Sequence, residues 1–354
     1  MKKILLTGGG TAGHVTPNIA LISVFKKSGW DISYIGSYEG IEKGLIEKCN
    51  VPYFGIASGK LRRYFSWKNF SDAFNVLKGI GEAKKILEKE KPDIVFSKGG
   101  FVSVPVVRAA KKLKIPVVIH ESDMTPGLAN RLSFSAASKI LCNFPETMRY
   151  LPKDKAIFTG TPIREELFRG DAEKGRQFCH FNDKKPIILV VGGSTGAKAV
   201  NDAVRNLLPT LLERFQVAHL CGKGKTDMKY NHTVGYEQYE YISAELADML
   251  ACADIVISRA GANAICELLA LRKPSVLIPL SAKASRGDQI LNAESFERQG
   301  FSYVIHEEDL TNETLLEGVN RVYKRRTEYI AAMQNAKQLN AAQSIYSIIN
   351  DIVK

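Results

Sequence analysis

The first glycine turn of the chain, residues 8–13, could bring bare backbone close to a phosphate or a sugar. Gly8, Gly10 and Gly13 have the spacing of a dinucleotide-binding loop. Such a loop needs an acidic residue about 20 positions further along to hold a ribose, and the only candidate, Glu39, lies too far away in the sequence. NAD binding is therefore disfavoured. His14, which follows the turn, could act as a base, as a hydrogen-bond donor or as a polar helix cap.

Two further glycine turns follow apolar runs. The second glycine turn, within residues 97–105, is explained equally well as ligand-binding backbone and as a tight turn. The third glycine turn, residues 192–196, matches the letters of a serine-hydrolase elbow around Ser194, but the later histidines have no setting that suits a catalytic triad. The preceding apolar run favours an anion cradle, in which backbone N–H groups and the helix dipole hold a pyrophosphate. A structural turn and a nucleophile are the alternatives.

Polar side chains of the second half suit a nucleotide sugar. Glu267 falls inside a helix that begins near Ala262, where a carboxylate can accept two hydrogen bonds from a ribose diol. Gln289, next to Asp288 at the start of another helix, has donors and acceptors for sugar hydroxyls. Arg164 could clamp a phosphate. Each residue alone is explained as well by a surface role, but together they predict a nucleotide-sugar pocket.

Apolar runs that alternate with helical stretches must position these side chains. Most runs are β-branched and apolar on both faces, as expected of parallel strands covered by helices. We predict an α/β protein of two Rossmann-like domains whose parallel sheets face each other across a cleft, with the ligand at the carboxyl ends of the strands. The domains are predicted at residues 1–161 and 162–335, with a C-terminal amphipathic helix, about residues 336–354, packing back on the first domain. The predicted strands are residues 3–7, 32–36, 53–57, 94–97, 117–120, 140–142, 156–159, 187–191, 217–221, 255–258, 276–279 and 303–305.

The excess positive charge lies entirely in the first half of the 354-residue chain. Residues 1–163 contain 25 Lys and Arg against 13 Asp and Glu, whereas residues 164–354 contain 24 of each kind. This asymmetry predicts an anionic partner for the first half. Because we find no recognisable nucleic-acid-binding module, we expect no nucleic-acid partner. The six cysteines form no CxxC pair, which favours a reducing cytoplasm, and no apolar run is long enough to span a bilayer.

Six longer motifs occur in order along the chain: GGGTAGHVTP, HESDMTPGLANR, GTPIREE, GGSTGAKAVN, SRAGANAICE and RGDQILNAE. They resemble the ordered motifs of the MurG family, the bacterial transferases that add N-acetylglucosamine to undecaprenyl-pyrophosphoryl-MurNAc-pentapeptide. The resemblance runs from about residue 2 to the C-terminal helix. It implies a GT-B fold without cofactor or metal, and the step of peptidoglycan synthesis that converts lipid I to lipid II with UDP-GlcNAc as donor. It also implies a peripheral protein on the cytoplasmic side of the cell membrane, with cell-wall synthesis proteins as candidate partners.

The same resemblance implies a ligand contact for each of a set of motif residues. These are Thr11, Ala12 and Gly13 beside the transferred GlcNAc, Arg164 and Ser194 at the phosphates, Ile242 at uracil with Ala262 and Ala264 nearby, Glu267 at the ribose, and Gln289 at the GlcNAc hydroxyls. Two positions depart from the family pattern. Asp123 stands where many members have Asn, and Asp288 stands where some have a second Gln. The departures affect the sugar contacts expected at these two positions.

A single inverting displacement explains how an α-linked donor would give a β-linked product. We expect His14 to take the proton of the attacking hydroxyl, with Glu121 as the rival base. The third glycine turn and Arg164 would stabilise the leaving diphosphate, in keeping with the absence of a convincing DxD motif. The alternative is another GT-B enzyme that acts on a UDP-sugar, such as a glycolipid synthase or a UDP-GlcNAc 2-epimerase.

A basic and aromatic stretch, residues 59–85, suits the headgroup region of an anionic membrane. Residues 59–114 contain 14 basic against 5 acidic residues. We expect this stretch to hold the protein on the membrane, where a lipid-linked acceptor lies. The alternative is a solvated helix whose aromatic side chains lie in the core. The residues concerned are Lys60, Arg62, Arg63, Tyr64, Phe65, Trp67, Lys68 and Phe70.

Overall fold

The computed structural model describes residues 1–59, 68–181, 184–193, 197–282 and 287–354, with residues 68–73 described by their backbone. The chain forms two compact units. The first unit consists of Met1–Arg164 and Lys337–Lys354, and the second unit is Glu165–Ala336. Ser194 and the basic and aromatic residues between 60 and 67 lie outside the described residues, as do the side chains of Lys68 and Phe70.

The first unit is built on a seven-stranded parallel sheet in the order β3-β2-β1-β4-β5-β6-β7. Its central strands are buried on both faces, and Ile4, Leu5 and Leu6 of β1 are all 0% exposed. This burial explains their continuous apolar sequence. The strands are β1 (Lys3–Thr7), β2 (Asp31–Ser37), β3 (Tyr53–Ile56), β4 (Ile94–Ser97), β5 (Val117–Glu121), β6 (Lys139–Cys142) and β7 (Ala156–Phe158).

The C-terminal helix completes the core of the first unit. Ile345 and Ile349 are buried in the same apolar cluster as Phe25, and the Tyr346 ring lies 5.4 Å from that of Phe25 and 6.4 Å from that of Trp30. These side chains bury the apolar face that the 3.6-residue period predicts. The helices of this unit are α1 (Thr16–Lys27), α2 (Ile41–Glu47), α3 (Lys68–Glu90), α4 (Ser103–Lys112), α5 (Leu128–Ser133) and α13 (Ala341–Ile352).

The second unit is built on a six-stranded parallel sheet in the order β10-β9-β8-β11-β12-β13. Its strands are β8 (Ile187–Val191), β9 (Gln216–Leu220), β10 (Tyr236–Tyr239), β11 (Ile255–Ser258), β12 (Ser275–Leu277) and β13 (Ser302–Val304). Its helices are α6 (Ala172–Phe178), α7 (Lys198–Arg214), α8 (Leu246–Cys252), α9 (Ala262–Ala270), α10 (Asp288–Arg298), α11 (Asn312–Lys324) and α12 (Arg326–Gln334). Local caps start some of these helices, as where Asp171 accepts a hydrogen bond from the Glu173 N–H at 2.9 Å.

The predicted strands are all present, with ends shifted by at most two residues, but the prediction was wrong to omit β10. The sequence of β10, Tyr236–Tyr239, mixes aromatic and polar residues. It lies at the edge of the sheet and pairs with β9 alone, so it does not need the continuous apolar run by which the other strands were recognised. Within the described ranges, none of the helices combines the length and the apolar character that crossing a bilayer requires.

Candidate active site

In each sheet the strand order reverses beside a glycine turn. In the first unit the chain fills one side of the sheet from β1 to β3 and the other from β4 to β7, so the reversal lies between β1 and β4. In the second unit it lies between β8 and β11. Open parallel sheets bind ligands at the carboxyl ends of the strands that flank this reversal. The first, second and third glycine turns follow β1, β4 and β8, so all three occupy such positions.

The turn after β1 brings Thr11 and His14 together. Ala12–His14 form a short 3₁₀ turn, closed by the His14 N–H, which donates to the Thr11 carbonyl at 3.1 Å. The Thr11 hydroxyl lies 3.0 Å from Nδ1 of the His14 ring. Thr11 and Ala12 are exposed, whereas Gly13 and His14 are half-buried. When the hydroxyl accepts from Nδ1–H, Nε2 is the basic nitrogen and can take a proton.

Glu121, the rival base, is held as an acceptor inside the first unit. It ends β5 and is 3% exposed. Its Oε1 accepts a hydrogen bond from the Asp123 N–H at 3.0 Å, and its Oε2 accepts from the Gly127 N–H at 3.0 Å and from Nδ2 of Asn130 at 2.8 Å. The carboxylate therefore fixes the loop that follows β5. The Asp123 side chain, predicted as a sugar contact, is half-buried in this loop.

Sequence reasoning missed a buried pair, Lys98 and His120, at the ends of β4 and β5. Lys98 is 1% exposed; its Nζ lies 2.8 Å from Nδ1 of His120 and donates to the Ser122 hydroxyl. Because an ammonium only donates, Nδ1 accepts and Nε2–H donates to the Gly160 carbonyl at 2.7 Å. Burial and, to a smaller extent, the Lys98 charge lower the pKa of His120 well below 6.5. The only sequence signal is a lysine between a strand and a glycine turn.

The third glycine turn is described only at its start. Gly192 and Gly193 follow β8, and Gly193 has a φ of 84°, in the left-handed region that favours glycine. Ser194, the predicted phosphate ligand, lies outside the described residues. The helix that follows, α7, begins at Lys198. Because its first N–H groups have no acceptor within the helix, its N-terminal end favours an anion.

Helix α9 begins directly beyond β11 and carries the predicted ribose ligand. Gly261 caps the helix in an extended conformation, with φ −65° and ψ 133°. Ala262 is buried, and Ala264 and Glu267 are half-buried. The small side chains therefore lie in the first turn, next to the reversal of the sheet, and the Glu267 carboxylate lies one turn further along.

Gln289 is anchored by one end of its amide. It lies in the first turn of α10, directly after Asp288, and its Oε1 accepts a hydrogen bond from the Leu280 N–H at 3.0 Å. The carbonyl oxygen thus ties α10 to the segment after β12, and the amide NH₂ is the end with donors to offer a ligand. Ile242, the predicted uracil contact, follows β10 and its residue is 7% exposed.

Arg259 holds the same segment and was not predicted as a site residue. Its Nη1 donates to the Ile278 carbonyl at 3.1 Å and to the Pro279 carbonyl at 3.3 Å, and its Nη2 forms an ion pair with Glu307. The Arg259 side chain is 12% exposed. Its position at the end of β11 in the SRAG motif is the only signal in the sequence.

The structure thus distributes the described candidate residues over both units. The first unit contains Thr11, Ala12, Gly13, His14, Glu121, Asp123 and the half-buried Arg164. The second unit contains Ile242, Ala262, Ala264, Glu267 and Gln289. In the part of the chain that the structure describes, no three His, Cys, Asp or Glu side chains form a group that could hold a metal ion.

Comparison with known proteins assigns both units to one family. Residues 4–142 match the glycosyltransferase family 28 N-terminal domain, and residues 187–351 match the family 28 C-terminal domain. The chain is 67% identical, over 99% of both sequences, to the UDP-N-acetylglucosamine--N-acetylmuramyl-(pentapeptide) pyrophosphoryl-undecaprenol N-acetylglucosamine transferase of Lachnoclostridium phytofermentans. The chain belongs to the MurG family. The Clostridium botulinum (strain Langeland) relative with the same name is 55% identical over 100% of both sequences.

Solved structures confirm the predicted GT-B fold. The crystal structure of Acinetobacter baumannii MurG matches with a TM-score of 0.77 at 27% identity, over 99% of this chain and 100% of that one. A Listeria monocytogenes protein described as a UDP-N-acetylglucosamine 2-epimerase matches with a TM-score of 0.73 at 12% identity, over 99% and 96% of the two chains. That second likeness shows a shared fold alone. The family prediction is confirmed, whereas the roles of the single MurG site residues stay predictions.

Proposed function

We propose that this protein transfers N-acetylglucosamine from UDP-GlcNAc to the 4-hydroxyl of MurNAc in undecaprenyl-pyrophosphoryl-MurNAc-pentapeptide, converting lipid I to lipid II. The observation that carries the proposal is the 67% identity, over 99% of both sequences, with a transferase named for this donor and this acceptor. The glycine turns beside both reversals of strand order support a ligand approached by bare backbone.

The second unit is the proposed donor site. The half-buried Glu267 carboxylate accepts hydrogen bonds from the ribose diol, and the Gln289 amide group donates to GlcNAc hydroxyls. Ala262 and Ala264 leave space for the nucleoside at the first turn of α9. Ile242, which follows β10 and is 7% exposed, is the proposed contact for uracil.

The leaving diphosphate needs stabilisation as the bond between the anomeric carbon and the β-phosphate oxygen breaks. The electron pair of that bond moves to UDP, so negative charge grows on the diphosphate. N–H groups of the third glycine turn, the Ser194 hydroxyl and the Arg164 guanidinium are the proposed donors. Preorganised donors of this kind stabilise the transition state more than the ground state.

The proton of the attacking hydroxyl passes to Nε2 of His14 in this proposal. The Thr11 hydroxyl at 3.0 Å from Nδ1 orients the ring, and Thr11, Ala12 and Gly13 lie beside the transferred sugar. Glu121 is the weaker candidate, because three donors occupy its buried carboxylate. A base must reach the proton that it removes, and Glu121 is 3% exposed.

A lipid-linked acceptor requires that the enzyme work at a membrane surface. Phe74 and Leu77 of α3, three positions apart and therefore on one face, are 70% and 68% exposed. They follow the basic and aromatic residues between 59 and 68 in the sequence. We assign this part of the first unit to contact with anionic lipid on the cytoplasmic face, where other cell-wall synthesis proteins would meet the enzyme.

A transfer assay with labelled UDP-GlcNAc and a lipid I analogue tests the proposed function. The expected result is a β-linked disaccharide product that forms only when the acceptor is present, at a rate that a chelator leaves unchanged. Glu267→Gln should raise the KM for UDP-GlcNAc because the amide accepts fewer hydrogen bonds from the ribose. Conversion of UDP-GlcNAc without acceptor into UDP-N-acetylmannosamine would instead identify an epimerase.

A further inference from the structure

A buried carboxylate, that of Glu42, lies behind the first glycine turn. Glu42 is the second residue of α2 and is 0% exposed. Its Oε2 accepts a hydrogen bond from the Gly10 N–H at 3.2 Å, and its Oε1 accepts from the Ser37 N–H at 2.9 Å and the Ser37 hydroxyl at 2.5 Å. Because all three contacts come from donors, the ionised carboxylate satisfies each of them.

Glycines surround this carboxylate and leave room for it. A Cβ at Gly9 would lie 2.6 Å from the Glu42 carboxyl carbon, and a Cβ at Gly36 would lie 2.8 Å from Glu42 Cγ. A Cβ at Gly40 would lie closer still to the Glu42 carboxylate. A side chain at any of these positions would displace the carboxylate. An apolar residue of similar size would leave the N–H groups of Gly10 and Ser37 without this acceptor.

The carbonyl side of the turn is fixed independently. The Tyr34 hydroxyl, on β2, donates to the Gly8 carbonyl at 2.7 Å. The Asn18 amide, on α1, donates to the Thr7 carbonyl at 3.2 Å and to the Tyr34 hydroxyl at 3.1 Å. The entry to the turn is therefore held by β2 and α1, and its exit at Gly10 is held by Glu42.

We propose that Glu42 is a positioning residue of the transferase, which fixes the first glycine turn at Gly10 and thereby places the His14 imidazole against the acceptor hydroxyl. Gly10 has a φ of 86° and directly precedes Thr11, whose hydroxyl contacts the His14 ring. A shift of the Gly10 amide therefore moves both side chains. The proposal rests on the proposed function, in which His14 is the base.

The same contact occupies one N–H group of the first glycine turn. The Gly10 N–H is already bound to a carboxylate, so it has no hydrogen left for a phosphate. Gly10 therefore serves to hold the turn in place and does not itself donate to a phosphate.

Glu42→Gln tests the proposal because it keeps the shape and replaces one acceptor oxygen with a donor. We expect kcat at saturating acceptor to fall at least about tenfold, since even a small misplacement of a catalytic group raises the activation barrier. The KM for UDP-GlcNAc should change less than about twofold. Glu90→Gln is the matched control. This change neutralises the Glu90 carboxylate of the same unit, whose side chain is 14% exposed and forms an ion pair with Lys3 at 2.7 Å. Lys3 lies at the opposite end of β1 from the first glycine turn.

The NMR resonances of the His14 ring give a readout that does not need turnover. Assigned through His14→Ala, they should shift in Glu42→Gln and stay in place in Glu90→Gln. Ser37→Ala, a milder change to the same carboxylate, should shift them in the same way and serves if Glu42→Gln does not fold. Unmoved resonances and wild-type kcat in these variants would overturn the proposal. A wild-type protein without transferase activity would instead remove the proposed function and leave the resonance test standing.

Discussion

The proposed role of His14 as the general base predicts a large loss of activity when this side chain is removed. His14→Ala should lower kcat by about 10²- to 10⁴-fold, the usual contribution of a general base, while the affinity for UDP stays near that of the wild type because the change leaves the proposed UDP ligands Arg164, Ser194 and Glu267 in place. The measurement is turnover at saturating lipid acceptor, with UDP binding followed by calorimetry. His232→Asn, at an exposed histidine with a φ of 63° that Asn tolerates, is the control. Near-normal turnover in His14→Ala would rule out this base.

From the sequence alone, candidate site residues can be identified only where they stand in motifs with a recognisable spacing. His14 and Glu267 stand in motifs that contain glycine, and their residue types indicate the chemistry that each side chain can perform. Glu42 and Lys98 could not be found in this way, although they are 0% and 1% exposed. A charged residue in a helix or a turn usually lies at the surface. Only the packing of α2 behind the first glycine turn shows that Glu42 is buried.

Helix α3 gives a prediction about membrane binding. Replacing both Phe74 and Leu77 with Ser should weaken binding to vesicles that contain anionic lipid by more than tenfold, because burying each such side chain contributes about 1.5–3 kcal/mol. Co-sedimentation at two salt concentrations measures the effect. Replacing Met228 and Val234 with Ser, at 83% and 93% exposed positions of the second unit, is the matched control. Equal loss in both double variants would contradict a role for α3.

The strands and helices were more predictable than the side chains around them. Strands such as β1 and β8 are buried on both faces, so their apolar runs show in the sequence. The ends of the strands were less certain, because a strand ends where its pairing with the neighbouring strand ends, and this point need not coincide with the end of the apolar run. Edge strand β10 escaped prediction for the related reason that pairing with β9, and not its own composition, makes it a strand.

For the protein as a whole, buried histidines predict loss of stability in acid. Burial and the neighbouring Arg205 lower the pKa of His219 in the second unit to about 3, and the pKa of His120 in the first unit is also lowered. Below a pH of about 6.5 the unfolded chain binds protons that the folded chain does not. The free energy of unfolding should therefore fall as the pH decreases toward 3, by about 1.4 kcal/mol per pH unit for each histidine.

Urea unfolding at pH 7 and pH 5, followed by circular dichroism, checks this prediction. In His219→Gln the second unit should lose about 2 kcal/mol less than the wild type between the two pH values, which corresponds to one proton over about 1.5 pH units. His232→Asn should behave as the wild type does. An identical loss in the wild type and in His219→Gln would show that this histidine does not control the acid response.

The return of α13 to the first unit has a consequence for synthesis on the ribosome. Ile345 and Ile349 complete a core whose other buried residues lie within the first 164 residues, yet they are translated after all of Glu165–Ala336. At about 5–20 residues per second, translating this stretch takes roughly 10–30 s. During that time the nascent first unit exposes the apolar surface that α13 later covers, which makes this surface a site for chaperone binding during synthesis.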